Sequence, residues 1–178
     1  MAHPLSPLGI VHTALSLVPV VAGLFAFSRH RAIDPQTRSG TVYLVGLAVS
    51  VLTSFGLSST GHFNAGHALG ILALLAAFGS LLVPRLPFLG RLRPYLSTFG
   101  LSFSFFLLLV PGINETLTRL PLAHPLASGP ESPEVRGALS AWVLTFLVGF
   151  ALQAWSIRAA GRQSREFERE RERERERA

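Results

Sequence analysis

The sequence predicts an all-α protein, a polytopic transmembrane bundle of five helices, and three observations carry that prediction. The 178 residues are 49% hydrophobic and only 15% charged, whereas a soluble domain holds about 25% charged residues. About half of the charges crowd into the stretch from Arg158 to Ala178, so the chain before it is more apolar than its mean hydropathy of +0.42 conveys. Solvation by lipid explains this composition and a water-soluble core does not. The second observation is five apolar runs, each near the roughly 20 residues that cross a bilayer. The third is that the arginines between those runs fall in alternate loops.

The first run extends from Leu8 to Phe27, with Ser6-Pro7 as N-cap and first-turn proline. No cleavable signal peptide is expected. Residues Met1 to Leu8 carry no basic side chain, and positive charge follows the apolar run, at Arg29-His30-Arg31. The second run extends from Gly40 to Leu57 and ends in Ser58-Ser59-Thr60-Gly61. The third runs from Ala65 to Val83 and has Asn64 as its cap. The fourth starts at Pro94-Tyr95 and stays uncharged to Asn114. Pro111 is expected to kink it, because Ile113, Leu117 and Leu120 continue a helical apolar stripe. The fifth opens at Ser132-Pro133-Glu134 and crosses between Gly137 and Ile157. The organisation is thus a four-helix membrane domain of two hairpins (1–112), an outer loop (113–136), a fifth span (137–158) and a charged tail (159–178).

Loop charge sets the orientation. Arg29, Arg31 and Arg38 lie in the first loop, Arg85, Arg91 and Arg93 in the third, and Arg158, Arg162 and Arg165 begin the tail. The second loop has no arginine, and the fourth balances Arg119 and Arg136 against three glutamates. The positive-inside rule then places the N-terminus outside and the C-terminus in the cytoplasm. Tyr43, Tyr95 and Trp155 fall at inner helix ends and Trp142 near an outer one, as aromatic belts require. All sixteen basic residues are arginine, which points to a GC-rich bacterial genome and hence to the inner, or plasma, membrane. There is no cysteine, so disulfides and thiolate chemistry are excluded.

The tail alternates Arg and Glu from Glu166 to Arg177, broken only at Phe167. Alternation sets like charges at i,i+4 and opposite charges at i,i+3, so a frayed helix or a disordered polyampholyte is expected. It reads as a solvated end, or else as a contact for anionic lipid or a partner. A faint internal repeat runs through the rest. His12 and Gly23, an Arg-rich loop and Tyr43 are echoed by His67 and Gly79, then Arg91, Arg93 and Tyr95. Two parallel hairpins so repeated imply a pseudo-two-fold axis along the membrane normal.

Chemistry, if there is any, would gather around histidine. His12 lies about one and a half turns inside the first helix and His67 about one turn inside the third, at similar depth near the outer face. Ionisable residues inside a membrane are rare and face the bundle interior. Near helix N-termini the neutral imidazole is favoured, and that form ligates haem iron, copper or zinc. His12 and His67 are therefore candidate ligands for haem or a transition metal, with His62 a third ligand from the loop and Glu115 a carboxylate from the same side. The plainer reading is a structural polar layer, with Glu115 paired to Arg119 at i+4. A quinone or proton-relay role is a further alternative. No P-loop, Gly-x-Ser-x-Gly or His-Glu-x-x-His is present, and no acidic residue lies within the five runs. No nucleic-acid motif occurs, so no nucleic-acid partner is expected.

Pro7-Leu8-Gly9-Ile10-Val11-His12, Arg38-Ser39-Gly40-Thr41-Val42-Tyr43 and Gly61-His62-Phe63-Asn64-Ala65-Gly66-His67-Ala68-Leu69-Gly70 carry a resemblance. They are similar to a bacterial family of predicted membrane proteins catalogued as domain of unknown function 2306. The resemblance covers Pro7 to Gly112. It implies that His12 and His67 occupy the family's two helix-opening histidine positions, and that Arg38, Gly40 and Tyr43 match its loop motif. The family's loop histidine is replaced around Thr37, and the fifth helix and the tail lie beyond the pattern. The resemblance names no reaction. Two readings result. One is a membrane protein with an outer-leaflet, histidine-based metal or haem site. The other is a non-catalytic membrane subunit or scaffold with a structural histidine layer, in the bilayer with a membrane protein partner or as a homo-oligomer. No catalytic residue is assigned in either.

Overall fold

In the computed structural model, residues 7–57 and 64–177 are described. They form five α-helices and no strand: α1 Pro7–His30, α2 Arg38–Ser54, α3 Ala65–Leu82, α4 Arg93–Arg119 and α5 Pro133–Arg177. Short 3-10 turns follow α2 (Phe55–Leu57) and link α3 to α4 (Val83–Arg85 and Pro87–Leu92). By length and apolarity α1, α3 with its following turn, Pro87–Arg119 and α5 can each cross a membrane. α2 has 17 residues, and the turn Phe55–Leu57 adds 3 more.

Local chemistry places the helix ends. Past α1, Arg31 takes a left-handed conformation (φ 61) and its N–H donates to the Phe27 carbonyl at 2.9 Å. In the loop that follows, Asp34 Oδ1 accepts from Gln36 N–H at 2.9 Å. The Thr37 hydroxyl then caps α2 by accepting from Gly40 N–H at 3.1 Å. Asn64 caps α3 through His67 N–H at 3.1 Å, as its position before the apolar run predicted. Pro111 lies inside α4, which continues to Arg119, so the loop that leads to α5 is confined to 120–132.

The first four helices close a ring: α1 packs along α2, α3 along α4, α2 touches α3, and α1 meets α4 more sparingly. That cyclic order is the one a pseudo-two-fold axis gives, but it seats α1 and α3 on a diagonal, not as packing neighbours. Each hairpin closes on a glycine. A Cβ on Gly46 would come within 2.9 Å of Pro19 on α1, and one on Gly100 within 2.7 Å of the Ala76 carbonyl on α3. Small residues allow backbones this close in lipid, where van der Waals packing replaces hydrophobic collapse. The core follows suit with Ala22, Ala26, Ala73 and Ala77 around Leu47, Val51, Leu101 and Phe105. At its centre, fully buried Tyr43 donates to the Ser104 hydroxyl at 2.7 Å, and Ser104 donates to the Leu101 carbonyl. Outward-facing apolar side chains such as Val21 (64% exposed), Leu52 (67%) and Leu75 (65%) present a lipid-facing surface.

α5 stands outside the ring and packs chiefly on α4, through aromatic rings. Phe99 meets Phe146 and Phe150 at centroid distances of 6.0 and 5.2 Å, and Trp142 stacks on Phe106 at 6.1 Å. Trp142 Nε1 also donates to the Phe106 carbonyl at 3.0 Å. The charged tail departs from expectation, because α5 runs unbroken for 45 residues to Arg177. Arg and Glu are strong helix formers, no proline follows Pro133, and each Glu from Glu166 onward precedes an Arg at i+3, except Glu176. These favourable factors outweigh the like charges at i,i+4.

Candidate functional site

The polar groups at the histidine end of the bundle converge on the last turn of α2. Thr53 Oγ1 donates its single proton towards the carbonyls of Val49 and Ser50, each 2.9 Å away. Its lone pairs therefore face His12 Nδ1 at 2.9 Å, which must carry the ring proton. His12 Nε2 is then an acceptor for the Ser16 hydroxyl at 3.3 Å. Ser16 in turn accepts from Ser50 at 2.7 Å. The proton order runs one way, from Ser50 through Ser16 and His12 to Thr53 and the α2 backbone. α1 is thereby stitched to α2 at two levels, one turn apart.

His67 approaches the same helix end from α3. Its Nε2 donates to the Ser54 carbonyl at 3.1 Å, and its Nδ1 accepts from Asn64 N–H at 3.2 Å. Ser54 ends α2, where carbonyls lack intrahelical partners, and Asn64 N–H precedes α3, so one ring serves two helix ends. The ring is buried (4% exposed) and stacks on Phe55, with centroids 4.8 Å apart and planes 4° from parallel. This bonding pattern requires the neutral tautomer with hydrogen on Nε2. Both ring nitrogens are then engaged: one lone pair accepts and the other nitrogen bears the proton.

The two histidines thus reach consecutive residues, Thr53 and Ser54, which lie about 100° apart around the α2 axis and 1.5 Å apart along it. Both rings therefore meet the last turn of α2, and each is directed at that helix. The other candidates are dispersed. Glu115 forms its ion pair with Arg119 at the α4 C-terminus, and both are about half exposed. Arg38 opens α2 at the opposite, arginine-rich end and is exposed. Tyr43 lies in the core. His62 falls outside the described residues. Among the described residues no group of three or more His, Asp or Glu side chains could hold a metal ion. As for haem or a metal between His12 and His67, the donor set does not fit as it stands: His67 has no unshared lone pair to offer.

One polar site escaped sequence reasoning. Gln153, 8% exposed within α5, donates from Nε2 to the Arg31 carbonyl at 2.8 Å and accepts from Ser102 at 2.9 Å. It ties the loop past α1 and the middle of α5 to α4, near the arginine end. The signal was there to find, because an amide at i+7 from Phe146 and i+3 from Phe150 shares their packing face. Compared with known proteins, the chain matches no family model, no curated protein and no solved structure.

Proposed function

We propose that the chain is a non-catalytic multi-pass subunit, or scaffold, of a bacterial inner membrane, whose histidines hold helices together and do not ligate a metal. The observation that carries this reading is His67, whose two ring nitrogens are committed to Asn64 N–H and the Ser54 carbonyl. His12 supports it, with Nδ1 on Thr53 and Nε2 on Ser16. Ligation by His67 would strip two helix ends of their shared partner.

In this reading the alternation of Arg-rich loops sets the N-terminus outside and the tail in the cytoplasm. The bundle offers lipid an apolar belt on all sides. Beyond Ile157, α5 continues for twenty residues to Arg177, a helical arm of about 30 Å. A bundle that carries such an arm is suited to hold a position in the membrane and present a charged rod to something else.

Detergent-purified protein should be colourless and free of stoichiometric metal. It should stay so after incubation with haemin, copper or zinc followed by desalting, as read by absorption spectroscopy and metal analysis. Stoichiometric uptake that disappears in His67→Ala would overturn the scaffold reading in favour of a ligand site.

A further inference from the structure

The arm carries a pattern that its helical form reveals. A two-residue alternation wound on a helix sets every fourth residue about 40° further round the axis. Like charges therefore line up. Arg169 and Arg173 run along one strip, and Glu170 and Glu174 along the strip beside it, with centres about 100° apart. Among the described residues the only ion pairs within 4 Å are Glu115–Arg119 and Glu131–Arg136. These tail guanidinium and carboxylate groups are thus exposed, attracted along their own helix at i,i+3 but with no contact that closes them into an ion pair.

We propose that the arm associates with the arm of a second copy of this chain, as a parallel two-fold pair whose seam lies between those two strips. Over residues 169–174 the geometry is self-complementary. In a two-fold pair with the axis along the helices, the left flank of one seam faces the right flank of the other. Arg169 and Arg173 of each copy then meet Glu170 and Glu174 of its mate. Parallel alignment is supplied by the bilayer, because all copies insert in one direction; in this the inference rests on the membrane reading. Exposed ion pairs are individually weak, but here four act together between chains already confined to a plane. An anionic lipid surface suits the arm less well. From Arg162 to Arg177 it has seven Arg against six Glu, far from the polybasic cluster that such surfaces select.

The chain has no cysteine, so single introduced cysteines report contacts cleanly. Ala159 lies on the proposed seam line and Ser164 about 140° away from it, both exposed. In the full-length protein in anionic vesicles, Ala159→Cys should cross-link on mild oxidation and Ser164→Cys should not. Adding Arg169→Glu and Arg173→Glu, or Glu170→Arg and Glu174→Arg, should each lower cross-linking of Ala159→Cys by roughly tenfold. Co-expression of the two reversed forms should restore it as a mixed dimer, which shows that both remain folded. Equal cross-linking at the two cysteines, or reversed forms that are unaffected or not rescued in the mixture, would overturn the pairing. So would an arm that fails to cross-link and is shielded from trypsin by anionic but not by neutral vesicles, since it would then lie on lipid. Metal uptake at His67 would defeat the scaffold reading and leave these results untouched.

Discussion

Replacement of His67 by alanine and by glutamine separates a structural ring from a ligand. In His67→Ala the Ser54 carbonyl loses its donor, Asn64 N–H loses its acceptor, and Phe55 loses its stacked neighbour. Each hydrogen bond is worth about 1 kcal/mol, and the ring pair adds about 0.5–1.5 kcal/mol. The Asn64 cap on the residue 67 N–H survives, because it is made to the backbone. The expected loss is about 3 kcal/mol. His67→Gln should recover most of it, because glutamine at this position of a helix N-terminus reaches back to the cap N–H in the ordinary capping box. Its amide also has a donor within range of Ser54, so only the stacking, about 1 kcal/mol, should be lost. Reversible unfolding in mixed micelles, followed by circular dichroism against denaturing detergent, would measure both variants. A glutamine variant as unstable as the alanine variant would refute the helix-end role, and so would an alanine variant indistinguishable from the parent chain.

Other outcomes follow from the packing and the charge pattern. Gly100→Ala should cost about 2–3 kcal/mol, because the new methyl would meet the Ala76 carbonyl and Ser80 Cβ at 2.7 Å, whereas Gly149→Ala, with nothing within 4 Å, should be neutral or stabilise by up to about 1 kcal/mol. The same unfolding assay compares them, and equal effects would contradict the close approach of α3 and α4. Gln153→Leu and Ser102→Ala should each destabilise by about 1–2 kcal/mol, and the double variant by little more than the worse of the two, since both break one network; additive losses would show the two sites to be independent. A reporter active only in the cytoplasm should work when fused after Ala178 and be silent in the second loop near Ser59. Activity at Ser59 would reverse the orientation.

The helices and their caps were legible because they depend on local signals. The apolar runs, Asn64 before α3 and Glu115 four residues before Arg119 all appear in the structure as read, while the expected Ser6 cap of α1 lies outside the described residues. The tail was misjudged because its like charges at i,i+4 were given more weight than the propensity of Arg and Glu and the span that feeds it. The histidines show where sequence stops. Residue type and spacing placed His12 and His67 at one depth, but their partners depend on how α1 and α3 are rotated about their own axes. Two of those partners, the Ser54 carbonyl and Asn64 N–H, are backbone groups that have no residue signature. The same holds for Gln153, whose acceptor is the carbonyl of Arg31.

The shortness of α2 bears on the membrane around it. Its seventeen helical residues measure about 26 Å, and only with the turn Phe55–Leu57 does the segment reach the roughly 30 Å of hydrocarbon in a typical bilayer. Its end is held by α1 at Thr53 and by α3 at Ser54. The segment therefore has no spare length with which to tilt or slide. A thicker bilayer would have to thin around the bundle, whose residence would favour regions of lesser thickness.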